Sequence, residues 1–216
     1  WKANAEGDDV HLFENEKQIA TYHFLRQQGK KRKANRCLAD FVAPLTSGKQ
    51  DYMGSFVCTA GLGIEKQLAV FEKDHDDYNS IMLKVIADRL AEALTEYMHE
   101  KIRKEIWGYA SDEKLANEDL IAEKYRGIRP APGYTACPDH TEKEKIFSLL
   151  NAEQIGAKLT ENMAMFPNAT VSGYYFSNPV AKYFSVGKVQ DDQIADYAKR
   201  KNITTKEVEK WLRSNI

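Results

Sequence analysis

His75 to Trp107 reads HDDYNSIMLKVIADRLAEALTEYMHEKIRKEIW, and the reading of this stretch decides the fold class. Tyr78, Ile81, Met82, Val85, Ile86, Leu90, Ala93, Leu94, Tyr97 and Met98 recur at steps of three and four, the spacing that puts side chains on one face of a helix. The pattern predicts one amphipathic helix. At 1.5 Å per residue it would run about 45 to 50 Å if unbroken to Trp107, far beyond the usual globular helix, and would have to cross its domain. A second, polar stripe holds Asp88, Glu92 and Glu96 four residues apart. Like charges so placed repel slightly, so the row is either solvated surface or a face turned to a cation. His75, Asp76 and Asp77 are consecutive and point in different directions, which excludes joint chelation. The helix macrodipole accounts for the two acids.

The segments around this helix are strands and shorter helices. VHLF and QIATYHFL, joined by the turn-prone ENEK, predict a hairpin, and YMGSFVCTAG predicts a further, central strand. LRQQGKKRKANR between them is basic, with five cations from Lys30 to Arg36 that read as a solvated loop more readily than as a phosphate site. SDEKLANEDLIAEKY predicts a helix capped by Asn117 and closed by Gly127. Thr141 and Glu144 have capping-box spacing for a helix through Leu150, as Thr204 and Glu207 do for the last one, which follows the helix DDQIADYAKRKN. TVSGYYFS and KYFSVGKV, separated by NPVA, predict a second hairpin. Strands at both ends with helices clustered between them give an α+β class: one domain over residues 1–216, with a twisted, largely antiparallel sheet, long central helices and a helical C-terminus.

RGIRPAPGYTACPDHTEKEKI, from Arg126 to Ile146, holds three of the six prolines between Pro130 and Pro138. Each proline fixes its own φ and pushes its predecessor toward extended geometry, so the run is a stiff, shaped loop. Gly133 allows a turn or a close approach just before Tyr134. On composition this is either an ordered structural loop or a ligand loop.

Lysine and arginine number 31 against 32 acids, so no net field favours nucleic acid or an anionic membrane. Cys37, Cys58 and Cys137 match no metal or redox spacing and suit free thiols in a reducing cytoplasm. No apolar run reaches the roughly 18 residues of a membrane span, and no leader pattern is present. No nucleophile elbow, P-loop or dinucleotide fingerprint occurs. The chain begins WKANAEGDD, without methionine, which leads us to expect a fragment of a longer protein.

RGIRPAPGYTACPDHTEK, with LADFVAP, HDDYN, ADRLAEALTEYMHEKIRKEIWGYA, VSGYYFSNP and KYFSV, closely resembles the activation domain of cobalamin-dependent methionine synthase, the motifs following in order along nearly the whole chain. The resemblance implies a module that binds S-adenosylmethionine and presents its methyl group when cobalamin, held by a neighbouring domain, must be restored from cob(II)alamin. Flavodoxin or a flavin reductase would supply the electron, and zinc is expected only in another domain of the full enzyme. The isolated module would bind without turning over. An alternative is a module that mainly docks the cobalamin domain and flavodoxin.

Carried over, Arg129 would pair with the ligand carboxylate, a task that suits a planar fork. Pro130, Ala131, Gly133 and Tyr134 would line the ligand, with backbone carbonyls facing it. Tyr183 and Phe184 would flank it, Phe184 standing where many relatives have tyrosine. Glu92 and Glu123 would stabilise its ammonium or sulfonium charge, and Asp88 and His140 would lie near the cobalamin-domain interface. The family's domain extends upstream of the position matched by Trp1, and that segment includes an aspartate that contacts the ligand's amino group.

Overall fold

The computed structural model describes residues 1–30 and 34–216. The middle of the basic run, residues 31–33, lies outside them. In chain order the strands are β1 (Lys2–Glu6), β2 (Asp9–Glu14), β3 (Lys17–His23), β4 (Asp51–Tyr52), β5 (Gly54–Thr59), β6 (Lys158–Leu159), β7 (Met165–Phe166) and β8 (Thr170–Tyr175). The helices are α1 (Glu65–Lys73), α2 (Asp77–Lys101), α3 (Asn117–Ile121), α4 (Glu142–Leu149), α5 (Asp191–Lys201) and α6 (Thr205–Trp211). Antiparallel sheets and helices segregate as expected for an α+β chain. The chain divides into two units, Trp1–Gly54 with Asp112–Lys145 and Gly173–Ile216, and Ser55–Ser111 with Ile146–Ser172.

In the first unit the strands run β3-β2-β1-β4. The predicted hairpin is β2 and β3, with Leu12 opposite Ala20 and a register shift after Leu12. Its turn places both Asn15 and Glu16 at positive φ, the geometry that suits the right-handed twist of the flanking strands. Strand β1 escaped the sequence reading because its inward positions include the small Ala3 and Ala5, which carry little alternating signal. Tyr22, Phe24, Tyr174 and Phe176 pack edge-on or tilted, with centroids 4.7 to 6.4 Å apart. Leu25, Val186, Val189, Ile194, Tyr197, Val208 and Leu212 form a second core around α5 and α6. The predicted Thr204–Glu207 box caps α6, Glu207 N–H reaching Thr204 Oγ1 at 3.2 Å and Thr204 N–H reaching Glu207 Oε2 at 2.8 Å.

Three expectations need correction here. KYFSVGKV is not a strand: Gly187 turns left-handed within it, and its backbone is spent on a loop, Val186 N–H donating to Thr135 O at 2.8 Å. The helix expected to be capped by Asn117 and closed by Gly127 is only α3. Ala116 precedes it, its N–H bonded to Asp119 Oδ2, and Glu123 turns left-handed just beyond its end. Thr141 spends its hydroxyl on Asp139 Oδ1, 2.8 Å away.

Among the described residues β5 pairs only with β8, so it is not the central strand of a wide sheet, and β6 pairs with β7. Helix α2 starts at an Asp76 cap that accepts the Asn79 N–H at 3.0 Å and ends in a π turn over Ile102–Ile106. Its period is as predicted and its buried side is not. Ser80, Ala87, Ala91, Thr95 and His99 face inward, and Ala87 and Ala91 pack on Ala169 with Ala60, Ile64 and Val171 alongside. Small side chains permit that close approach. The large apolar stripe faces out, with Ile81 62% and Leu90 57% exposed.

Candidate functional site

The proline-rich loop is built onto the end of β8. Ile128 and Phe176 exchange two backbone hydrogen bonds of 3.0 Å, Tyr174 N–H donates to Pro130 O at 2.9 Å, and Arg126 Nε donates to Ser177 O at 2.9 Å. Residues 128 and 130 thus turn their backbone to the strand, and Arg129 between them turns the other way. Its N–H meets the Tyr183 hydroxyl at 3.0 Å. Its guanidinium lies over the Tyr125 ring, 5.5 Å from the centroid, and Nη1 donates to the Tyr125 hydroxyl at 2.9 Å. Stacking and a hydrogen bond hold the fork in place.

Beyond Arg129 the chain turns tightly. Tyr134 N–H donates to Ala131 O at 3.3 Å, Gly133 N–H to Cys137 O at 2.7 Å, and Cys137 N–H to Tyr134 O at 3.0 Å. The carbonyls of Pro130 and Ala131 therefore each serve one protein partner and keep one lone pair. The turn leaves Tyr134 69% exposed. Gly133 has a φ of +92°, and a Cβ there would lie 2.2 Å from Cε1 of the His140 ring. Only glycine fits.

His140 Nδ1 meets Lys143 Nζ at 2.8 Å. Burial first, and then the Lys143 charge, hold the imidazole below its ordinary pKa, and burial lowers Lys143 as well. With Nδ1 accepting from the ammonium, the proton of the neutral ring belongs on Nε2. A cleft of about 630 Å³ opens here, with Tyr134, Pro138, His140, Trp211, Arg213 and Asn215 in its wall.

The aromatic flank is fixed from below. Phe184 packs on the α5/α6 core and meets Phe41 edge-on at 6.3 Å, and its carbonyl accepts the Thr135 hydroxyl at 3.3 Å. Tyr183 is held through its hydroxyl, as above.

A buried ion network anchors the loop's far end. Lys201 Nζ reaches Asp139 Oδ2 at 2.6 Å, Thr141 Oγ1 at 2.6 Å and Glu142 Oε1 at 2.9 Å. Tyr197 donates to Asp139 Oδ2 at 2.8 Å, and Lys145 meets Glu142 Oε1 at 2.9 Å. Two carboxylates face two ammonium groups, so the charges balance. Burial pushes Asp139 up, but Lys201 and Thr141 outweigh it and the carboxyl lies below its usual range. Burial pulls Lys201 down, but Glu142 and Asp139 outweigh it and the amine lies above its usual value.

Of the residues named from the sequence, the first unit brings together Arg129, Pro130, Ala131, Gly133, Tyr134, Tyr183 and Phe184. Glu123 lies six residues before Arg129, exposed and at positive φ. Glu92 and Asp88 lie on α2 of the second unit, both exposed. The sequence reading missed Tyr125, Thr135 and the network at Lys201. An arginine four residues after a tyrosine was the one available signal. Among the described residues no group of histidine, cysteine and acid side chains could hold a metal, and no helix is long and apolar enough to cross a membrane.

A family model described as the vitamin B12 dependent methionine synthase activation domain matches residues 1–202. The chain belongs to that family. A crystal structure of the MetH reactivation domain bound to AdoHcy is 54% identical, with a TM-score of 0.96, covering 100% of this chain and 68% of its own. The activation-domain fold thus carries the Arg129 loop, the Tyr183 flank and the Lys201 network described above.

Proposed function

We propose that the Arg129 loop binds S-adenosylmethionine and presents its methyl group to cobalamin carried by a neighbouring domain of methionine synthase. The observation that carries this reading is the prearranged guanidinium, stacked on Tyr125, beside two tyrosines tied to or turned out from the same loop. It is supported by the 54% identical reactivation domain whose crystal structure holds AdoHcy, the demethylated form of the same molecule.

Arg129 pairs with the carboxylate through two parallel N–H bonds. Tyr134 and Tyr183 offer ring faces to adenine or to the sulfonium. Pro130, Ala131 and Gly133 line the ligand by backbone. Phe184 contributes its ring or backbone, and Glu123 offsets the ligand's positive charge. Methyl transfer breaks the carbon–sulfur bond, and sulfur keeps the electron pair as a neutral thioether. The methyl would pass to cobalamin held by the neighbouring domain, which would supply the accepting electron pair after reduction through flavodoxin or a flavin reductase. His140 faces the cobalamin domain, the cleft beside it being the surface offered. The module alone binds without turnover and works in the cytoplasm.

Calorimetric titration of a chain extended upstream, with S-adenosylmethionine and with S-adenosylhomocysteine, tests this. Arg129→Ala should weaken binding by about 2 to 3 kcal/mol, roughly 30- to 150-fold. Absence of heat from the extended wild type would sink the reading. Crosslinking to the cobalamin domain separates it from a pure docking role, since Arg129→Ala should leave docking intact.

A further inference from the structure

An extended segment presents hydrogen-bonding groups along two edges, and the segment around Arg129 uses both. On one edge, Ile128 and Pro130 spend their backbone groups on the end of β8, at 3.0 and 2.9 Å. On the other, the Arg129 N–H meets the Tyr183 hydroxyl at 3.0 Å. A phenol thus stands where a further strand would, and it takes the backbone donor of the residue whose side chain is to meet the ligand carboxylate.

This tie differs in kind from the one to Tyr125. Tyr125 lies four residues from Arg129 on the same stretch of chain, so it moves when that stretch moves. Tyr183 lies 54 residues away, in a segment with anchors of its own. Phe184 packs on the α5/α6 core, Ser185 O accepts from Gln27 Nε2 at 2.6 Å, Val186 N–H donates to Thr135 O at 2.8 Å, and Gly187 O accepts from Asn215 Nδ2 at 2.9 Å. The hydroxyl is therefore a reference point set from outside the arginine's own stretch. Without it those anchors stay, while the peptide between Ile128 and Arg129 is free to rock about the β8 edge. The guanidinium rocks with it, and a bidentate pair tolerates little misorientation.

We infer that Tyr183 is a positioning residue, whose hydroxyl holds the Arg129 backbone and so sets the direction from which the guanidinium meets a carboxylate. This role rests on the proposed ligand reading and is separable from the ring face that Tyr183 offers.

The test is Tyr183→Phe in the chain extended upstream, which keeps the ring and deletes one oxygen. Two measurements are made on it and on the wild type: amide hydrogen exchange without ligand, read residue by residue by NMR, and calorimetric titration with S-adenosylhomocysteine. The expected result is exchange at the Arg129 amide at least about tenfold faster, with the Ile128 amide, bonded to Phe176 O, as protected as before. Affinity should fall by about threefold to tenfold. Weaker binding with an unchanged Arg129 amide overturns the inference in favour of a hydroxyl that touches the ligand directly. Loss of protection at Ile128 as well overturns it in favour of a general loosening of the loop. A wild type that binds no more tightly than Tyr183→Phe overturns it alone, leaving the ligand reading intact. A wild type that gives no heat removes the ligand reading itself, and this role with it.

Discussion

Asp139 and Glu142 are charged and buried in the first unit, with the Lys201 ammonium half-buried between them, while Ile81, Ile86 and Leu90 are apolar and exposed in the second. Both regions reverse the usual arrangement, and they differ in whether the reversal is settled within the chain. Asp139, Glu142 and Lys201 have their partners at hydrogen-bonding distance, so the network is complete as it stands. The large α2 side chains stay exposed. One region is complete and anchors the Arg129 loop; the other leaves its large side chains exposed. Local polarity therefore does not tell a site from a surface. What separates them is whether each group has what its chemistry needs.

The sharpest way to break the comparison is Lys201→Met. It leaves Asp139 and Glu142 buried with one cation fewer and should cost about 3 to 5 kcal/mol, read from urea unfolding. The sign of its pH dependence follows from the shifts. Asp139 lies below its ordinary value, so its contribution is full above that value and is lost as pH falls through the folded one. Lys201 lies above its ordinary value, so its contribution is full below that value and is lost as pH rises through the folded one. The deficit of the variant should thus be constant across neutral pH and shrink as pH falls below the ordinary aspartate value, about 4, and through the lowered value of Asp139. A deficit that ignores acid would mean the network is packing and not charge.

Gly133→Ala comes next. The positive φ alone costs an L-residue about 1 to 2 kcal/mol, and the new methyl must also displace a ring that Lys143 holds. Unfolding should show at least that loss, and the His140 ring protons should shift in NMR spectra. An unchanged His140 signal would show that the turn relaxes elsewhere. This glycine was legible beforehand as a place of turn or close approach, because glycine and proline act locally. Its partner was not, since His140 reaches it only through the fold. Lys201 and Asp139, 62 residues apart, gave no sequence signal at all.

Helix α2 shows the other limit. Residues four apart form parallel stripes, so the period was plain from sequence while the choice between the stripes was not. Hydropathy chose the large residues. Packing chose Ala87 and Ala91, because close approach to Ala169 needs small side chains. The two hairpins divide in the same way: ENEK carried its own turn chemistry and held, whereas KYFSVGKV had strand composition but found its backbone partner in Thr135 of a loop.

Tyr125→Phe removes only the hydroxyl that Arg129 Nη1 meets at 2.9 Å and keeps the ring beneath it. Stability should change little, while affinity for S-adenosylmethionine should fall by about 1 kcal/mol, roughly fivefold, as the fork loses one restraint. Calorimetry on the extended chain reads it. A full loss would mean that the hydroxyl itself touches the ligand.

The smallest effect is the one that tests the open face. Leu90→Gln places an amide where the structure has leucine 57% exposed, and in the 216-residue chain there is little packing to lose. Its unfolding free energy should stay within about 0.5 kcal/mol of wild type, as for ordinary surface substitutions. Ala91→Leu, one position along, enlarges a buried residue on the packed side and should cost about 1 to 3 kcal/mol through overpacking. If both variants were equally harmful, the two sides of α2 would be alike and the contrast with the Lys201 region would fail. If only the alanine side responds, the leucine side of this helix contributes little to the stability of the 216-residue chain.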